Sequence, residues 1–456
     1  MSALKQERKS LSRYVVFYSI IAAIGGFLFG YDTAVISGAI GFLKVKFDLQ
    51  AGMQGWTVSS LIVGAGIGAV FSGTLSDKFG RKKLLLTAAI FFAIGMLGSA
   101  LSNHIFFLVI ARIIGGLGIG IASNVSTLYI AEISPTHIRG RMVSIYQLSV
   151  VTGIFVTFFI NATIEGLGND AWDVSTSWRW MFGFAAVPGF LYLFLLLLIP
   201  ESPRWLMKKN QKVRALDILE RMNGKKADKA ELHEILNLQE DQSVSWKELF
   251  QSSLKLPFII GVVLAALQQI TGINAIMYYT PEILKQSGAN TDSALIQTVL
   301  VGVVNLVFTL IALWIIDKVG RKVLLVAGGS VMTVCLFVVG YAFNAGHLSG
   351  YWILFFILLY VAAFAVSFGP VVWVMISEIF PTRIRARATA VATLCLWVAD
   401  FLVSQTFPML LDSIGASATF WLYAAISAFT VFFCAKLIPE TKGKSLEQVE
   451  LLWVKN

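Results

Sequence analysis

The chain has 456 residues, 57% of them hydrophobic and 14% charged, with 36 Lys and Arg against 26 Asp and Glu for a net charge of +10. Soluble globular chains carry about 25% charged residues, and here the apolar excess falls in many long runs, so this is a polytopic membrane protein. The positive charge sits in short loops between those runs, where topology rules place it, which excludes a nucleic-acid partner; Cys335, Cys395 and Cys434 lie inside apolar runs without metal-like spacing and read as small core residues, not as a disulfide frame, redox centre or metal site.

The first thirteen residues are polar, and the apolar run that follows is too long for a signal h-region of about 7–15 residues, so no cleavable signal is expected. A span takes roughly 20 mainly apolar residues. Twelve candidates follow, numbered in chain order and centred near Gly26, Gly66, Ala93, Leu117, Val151, Tyr192, Ala265, Leu306, Val331, Leu359, Trp397 and Phe429. Between spans 6 and 7, residues 200–253 alternate Lys, Arg, Glu and Asp with spaced Leu, Ile and Met, the pattern of two or three short amphipathic helices in water.

Lys/Arg asymmetry sets orientation. Lys5, Arg8, Lys9 and Arg13 precede span 1; Lys78, Arg81, Lys82 and Lys83 follow span 2; Arg139 and Arg141 follow span 4. These belong to the cytoplasmic side. Residues 161–177 on the other side hold Glu165, Asp170 and Asp173 and no cation, while Lys44 and Lys46 after span 1 are the exception. An even number of spans then puts both termini in the cytoplasm.

The chain also repeats. DKFGRK at 77–82 returns as DKVGRK at 317–322, AEISPTHIRGR at 131–141 as SEIFPTRIRAR at 377–387, and PESPRWL at 200–206 is echoed by PETKGKSL at 439–446. Offsets of 240, 246 and 239 residues define two homologous six-span halves in one orientation. The domains expected are a bundle over 1–199, a cytoplasmic helical linker over 200–253, a second bundle over 254–438 and a cytoplasmic tail over 439–456. Parallel halves predict a site at the midplane between them, exposed to alternate sides by rocking.

In GTLSDKFGRKK (73–83) the tight turn needs Gly80, Asp77 can sit near a helix N-terminus or pair with arginine, and Arg81 can reach a carboxylate bidentately. A basic turn could do no more than set topology. Its copy, with Asp317 and Arg321, and the matching Glu132/Arg139 and Glu378/Arg385 favour a cytoplasmic charge network that holds one conformation and breaks in the other.

Together GxLSDKxGRK, the two E-x-x-P-x-x-x-R segments, PESPRWL and PETKGKSL resemble the sugar porter family of the major facilitator superfamily, from Gly25 to about Leu451. The resemblance implies an all-α membrane fold of two six-helix bundles with short cytoplasmic helices, and a monosaccharide as substrate. A sugar needs many hydrogen bonds and an aromatic face. Span 7 reads QQITGINAIMYYT, with Gln268, Gln269, Asn274 and Tyr278. At 100° per residue Asn274 and Tyr278 lie about 40° apart, but Gln268 falls roughly 80–120° away. A straight helix would not aim all of them at one cavity, whereas a break near Gly272 would. Interhelical hydrogen bonding uses the same residue types; the resemblance favours sugar. By the same resemblance Gln147, Asn305, Trp373 (just after the helix-disturbing Gly369-Pro370) and Trp397 are sugar contacts. Ile154 and Leu396 stand where members of the family can carry amides, which leaves the pocket fewer hydrogen bonds and the identity of the sugar open.

No P-loop is present: GKS at 443–445 lacks the glycine required at position 438, which is Ile. Transport is then facilitated or ion-coupled. In FGYDTAVISG, Asp32 sits near the far end of an apolar run that begins at about Tyr14. A carboxylate there costs roughly 2.5–3.5 kcal/mol on insertion scales, so it needs a partner. Arg112 in LVIARIIGGLGIG, also toward the outer half of its span, is the natural one, and the resemblance implies that an acid here accompanies proton symport. A static ion pair fixing spans 1 and 4 is the alternative. Asp400, three residues after Trp397, admits three readings: a sugar hydrogen bond, a second titrating group, or an acid satisfied by neighbouring polar groups. The last ranks first because no mid-membrane cation is at hand.

The resulting expectation is a proton-coupled monosaccharide symporter of the cell membrane, not an enzyme, acting as a monomer in the lipid bilayer, with sugar and proton as partners and no cofactor or metal. A uniporter of the same fold or a polyol symporter is the nearest rival. A sensor would carry a long tail, where about 18 residues follow span 12.

Overall fold

The computed structural model describes residues 13–135, 138–223, 252–346, 350–381, 384–444 and 448–449. Among these there is no strand, and twelve helices are long and apolar enough to cross a membrane. Spans 1 to 6 are Arg13–Phe47, Ala51–Phe79, Arg81–Ala100, Ile105–Ile133, Arg139–Glu165 and Asp170–Leu196. Spans 7 to 12 are Leu254–Gln286, Thr291–Val319, Arg321–Ala345, Tyr351–Ile379, Arg387–Ser413 and Gly415–Leu437. Each of the twelve centres read from the sequence falls inside one of them. Of the helices expected over 200–253, Pro203–Lys208 and Lys212–Asn223 are present; residues 224–251 lie outside the described residues.

Two glycines end helices that would otherwise run on. Gly80 (φ +100°) and Gly320 (φ +108°) turn the chain between spans 2 and 3 and between spans 8 and 9, a conformation that penalises a Cβ. The GRK turns at these positions mark one end of the molecule, called here the GRK end.

Spans 1–6 pack mainly on one another, through pairs 2–4, 1–5, 3–4 and 3–6, and spans 7–12 do the same through 9–12, 7–11, 9–10 and 8–10. The two sets pack differently. In the first, helix backbones touch: a Cβ on Gly30 would strike the Val150 carbonyl, on Gly116 that of Leu61, and on Gly120 that of Ala65. In the second, the space at Gly261, Gly329 and Gly340 is taken by the side chains of Phe380, Val431 and Trp421. The seam between the sets is made by spans 2 and 11, 5 and 8, and 1 and 7.

Three features depart from the expected outline. Span 1 continues to Phe47, so Asp32 lies mid-helix, not near its end, and Lys44 and Lys46 form its last turn. The run is lengthened by small residues such as Gly38 and Gly41 that still fit a helix when packed. Span 10 breaks at Ser367 (φ −115°, ψ −90°) and restarts at Phe368, two residues before the Gly369-Pro370 pair that marked it in the sequence. Proline is tolerated in a helix's first turn, so the interruption precedes it.

Candidate functional site: a buried polar chain at the seam

Span 7 is two helices, Ser252–Ile270 and Ile273–Gln286, separated at Thr271 and at Gly272, whose φ is +96°. The break redirects the polar residues as the mismatch in helix face required. Across it, Asn274 Nδ2 donates to Gln269 Oε1 at 2.9 Å, and the Asn274 amide also interacts with the Asp400 carboxylate. Asp400 is buried on span 11 and accepts from Ser404 Oγ at 3.1 Å. One turn after Asn274, the buried Tyr278 hydroxyl contacts Thr33 of span 1 and lies within electrostatic reach of Asp400, Asp32 and Arg112.

Gln268 is placed differently. Its Nε2 donates to Phe368 O at 2.7 Å and its Oε1 is buried without a partner. The amide therefore ties the broken span 7 to the broken span 10 and keeps only its acceptor free. Tyr360 adds a second tie, its hydroxyl donating to Thr271 O at 3.0 Å. Trp397 packs its ring 5.7 Å from that of Phe29 on span 1. Asn305 is buried and Gln147 half-buried, and neither side chain bonds to another described residue. Trp373 is exposed.

Asp32 and Arg112 do meet, with both side chains 1% exposed. Nη1 donates to Oδ1 at 3.3 Å and Nη2 to Oδ2 at 3.4 Å, longer than the ~2.7–2.9 Å of a tight charge-assisted bond. Arg112 is held more firmly by span 2, with Nε donating to Thr57 O at 2.8 Å and Nη2 to Val58 O at 3.3 Å. The guanidinium keeps its hydrogen bonds whether or not Asp32 is charged.

At the GRK end, Arg81 pairs with Glu132 at 2.9 Å and with Asp77 at 3.0 Å, and Arg321 pairs with Glu378 at 3.1 Å and Asp317 at 3.0 Å. Arg139 does not join its motif partner Glu132; its Nε is buried without a hydrogen bond. Arg385 donates to Phe380 O at 3.2 Å. Two acids escaped notice in the sequence. Glu201 accepts from the backbone N–H of Arg81 and Lys82, and Glu440 from those of Arg321 and Lys322. Each caps the open first turn of a span. Their shared place in the repeated PES and PET motifs was the signal. Burial raises the carboxyl of Glu201 above its ordinary value, against the backbone bonds that lower it. The pairs of Arg81 and of Arg321 each stay within their own set of spans, and Asp77 also pairs with Lys208 of the Pro203–Lys208 helix at 2.9 Å.

At the opposite end the sets are closed on each other. Gln405 of span 11 takes a bond from Ser59 Oγ at 2.8 Å and donates to Gly52 O at 2.9 Å. Glu165 and Asp292 meet there across spans 5 and 8. A pocket of about 380 Å³ lined by Lys44, Gln54, Glu282 and Asp412 remains beyond the closure.

Twelve spans, a polar chain buried at the seam between two sets and closure at one end are the architecture of a membrane transporter. A family model described as "Sugar (and other) transporter" matches residues 18–453, and the chain belongs to that family, the sugar porters of the major facilitator superfamily. It is 47% identical to an arabinose-proton symporter of Bacillus subtilis, over 97% of this chain and 96% of that one. It is 38% identical to a D-xylose-proton symporter of Escherichia coli, again over 97% and 96%. An inward open structure of the E. coli xylose transporter matches with a TM-score of 0.86 at 37% identity, over 96% of this chain and all of that one.

Proposed function

We propose that this chain carries a monosaccharide, with an aldopentose such as arabinose or xylose as the first choice, into the cell together with a proton, by alternating access. The observation that carries the reading is the buried Asp32, loosely paired with Arg112 and within electrostatic reach of Tyr278 on span 7. A carboxylate at membrane depth is a functional group by default. Here its cationic partner has other acceptors, so protonation of Asp32 leaves the guanidinium hydrogen-bonded to Thr57 O and Val58 O. The names of the relatives favour the same chemistry.

In this reading Gln147, Gln268, Gln269, Asn274, Tyr278, Asn305, Trp373 and Trp397 bind sugar, and Asp32 with Arg112 couples the proton. Asp77, Arg81, Glu132, Arg139, Asp317, Arg321, Glu378 and Arg385 form the cytoplasmic network. The GRK end faces the cytoplasm, with both termini, and the protein works as a monomer in the cell membrane. Residues 1–199 and 254–438 move as two bodies joined by the 200–253 linker, followed by the tail from 439. Closure by Gln405 at the opposite end, and the likeness to an inward open structure, favour an inward-facing state.

Uptake of a panel of pentoses, hexoses and polyols into proteoliposomes, with and without an inward proton gradient, tests this. Accumulation of a pentose that a protonophore abolishes is expected, and Asp32→Asn should exchange sugar but not accumulate it. Accumulation of sugar against its own gradient by Asp32→Asn under an inward proton gradient would sink the coupling role, and protonophore-insensitive equilibration by the wild type would make the protein a uniporter.

A further inference from the structure

We propose that Asp400 is a positioning residue that sets which face of the Asn274 amide the sugar meets, so that a proton on Asp400 changes sugar affinity independently of Asp32. This rests on the reading of Gln269 and Asn274 as sugar-binding.

The argument is one of donors and acceptors. A carboxamide has two N–H donors and one acceptor oxygen, whereas an ionised carboxylate only accepts. Asn274 Nδ2 already serves Gln269 Oε1, and the same amide faces Asp400. With Asp400 ionised, both N–H groups of Asn274 are used and its Oδ1 is left for a sugar hydroxyl. With Asp400 protonated, the carboxyl becomes a donor and can serve Oδ1, which turns the N–H face toward the sugar. Asp400 is satisfied in both states, since Ser404 Oγ at 3.1 Å can donate to or accept from it. The proton comes from water and returns to it. The Gln268 donors are held by Phe368 O, and the Gln269 amide, whose Oε1 accepts from Asn274 Nδ2, turns with it, so that its Nε2 then donates to Asn274 Oδ1 alongside the protonated Asp400.

No buried cation touches Asp400. The buried charged residues among those described are Asp32, Arg81, Arg112, Glu165, Asp173 and Asp400. Arg81 lies at the GRK end, Glu165 and Asp173 at the opposite end, and Asp32 and Arg112 beyond Tyr278. The titratable groups buried on the spans packed against span 11 are phenols, Tyr278 and Tyr279 of span 7, Tyr360 of span 10 and Tyr423 of span 12, and the thiol of Cys434, which lies toward Lys322 at the GRK end of span 12. Of these, Tyr278 faces Asp400. Span 2 brings hydroxyls and the amide of Gln54. Asp400 is thus the carboxyl whose proton the span 7 amides meet directly.

The test is sugar exchange in proteoliposomes at equal pH on both sides, which needs no proton gradient, with the apparent KM for arabinose and xylose taken over a series of pH values. Wild type should show a KM that shifts about three- to tenfold, the worth of one hydrogen bond. In Asp400→Asn the shift should vanish, and Asn274→Ser should flatten it as well, which covers a failure of the first variant to fold. Asp32→Asn should keep the shift while losing accumulation. A shift that persists in either Asp400→Asn or Asn274→Ser, one that disappears in Asp32→Asn, or a flat wild-type KM would overturn the proposal. Absence of wild-type exchange for every sugar would overturn the transport reading beneath it.

Discussion

Ser59 of span 2 and Gln405 of span 11 are 346 residues apart in sequence and joined by a 2.8 Å hydrogen bond. With the Gln405 bond to Gly52 O, this contact closes the end of the seam remote from the GRK turns. Each such bond contributes about 0.5–1.5 kcal/mol. Gln405→Ala should therefore shift the population several-fold toward the state open at that end. Alkylation of a cysteine placed at Gln54 by an impermeant maleimide, in a background lacking the three native cysteines, reports the change. An unchanged rate would mean that the pair has no part in closure.

Arg112 and Asp32 should differ sharply as sites of substitution. Asp32→Asn leaves Arg112 buried without a counter-charge but still bonded to Thr57 O and Val58 O, so its stability cost should be the smaller, about 1–3 kcal/mol. Arg112→Met leaves a buried carboxylate and two carbonyls without a donor, and should cost about 3–5 kcal/mol. Thermal unfolding of the two purified variants checks the order. The double variant should recover part of the Arg112→Met loss.

Glu201 and Glu440 should each contribute about 1 kcal/mol as helix caps, measured as the loss of thermal stability in Glu201→Ala and Glu440→Ala. Glu201 also predicts a pH trend. Its carboxyl titrates above the ordinary 4.5 in the folded protein, so the folded state binds the proton more tightly than the unfolded one. The favourable term is complete below about 4.5 and is lost as pH rises through the raised folded value. The stability difference between wild type and Glu201→Gln, which cannot titrate, should move against the wild type over that window.

Gly272→Ala should strike sugar binding. Position 272 has φ +96° and a Cβ there would lie 2.9 Å from the Tyr423 ring. An L-residue in that region costs roughly 1–2 kcal/mol, and any relaxation turns Asn274 away from Gln269. Expected is a rise in KM for exchange larger than the fall in Vmax. Equal loss of both would point to general destabilisation instead.

The spans were legible because hydropathy and length decide them locally, and the break at Gly272 because Gln268 and Asn274 could not share a cavity on a straight helix. What escaped depends on partners far along the chain. Glu132 and Arg139 look like partners within one motif, yet the Arg81 side chain from the start of span 3 takes the acid. Gln268 reads as a sugar ligand through its whole amide, yet Phe368, 100 residues away, claims its donors and leaves the acceptor alone for a sugar. Asp32 looked terminal because glycines and lysines dilute the hydropathy of the rest of span 1, although packing against spans 5 and 7 keeps it helical. Asp400 could be ranked as satisfied by its neighbours from the lack of a cation alone, but not that the neighbour would be Asn274.

The glycine contacts divide the molecule in another respect. Where Gly30, Gly116 and Gly120 bring main chain against main chain, there is no side chain to give way, and even one methyl group must separate two helices. Where Gly329 and Gly340 face side chains of Val431 and Trp421, a smaller neighbour can absorb the intrusion. Spans 1–6 are thus closed to sequence drift at their contacts, while spans 7–12 can repack, and these carry the amides of span 7. A lineage can rebuild the helix contacts of one half against a nearly fixed template, and a mutational library should return substitutions at glycine contacts mainly from spans 7–12.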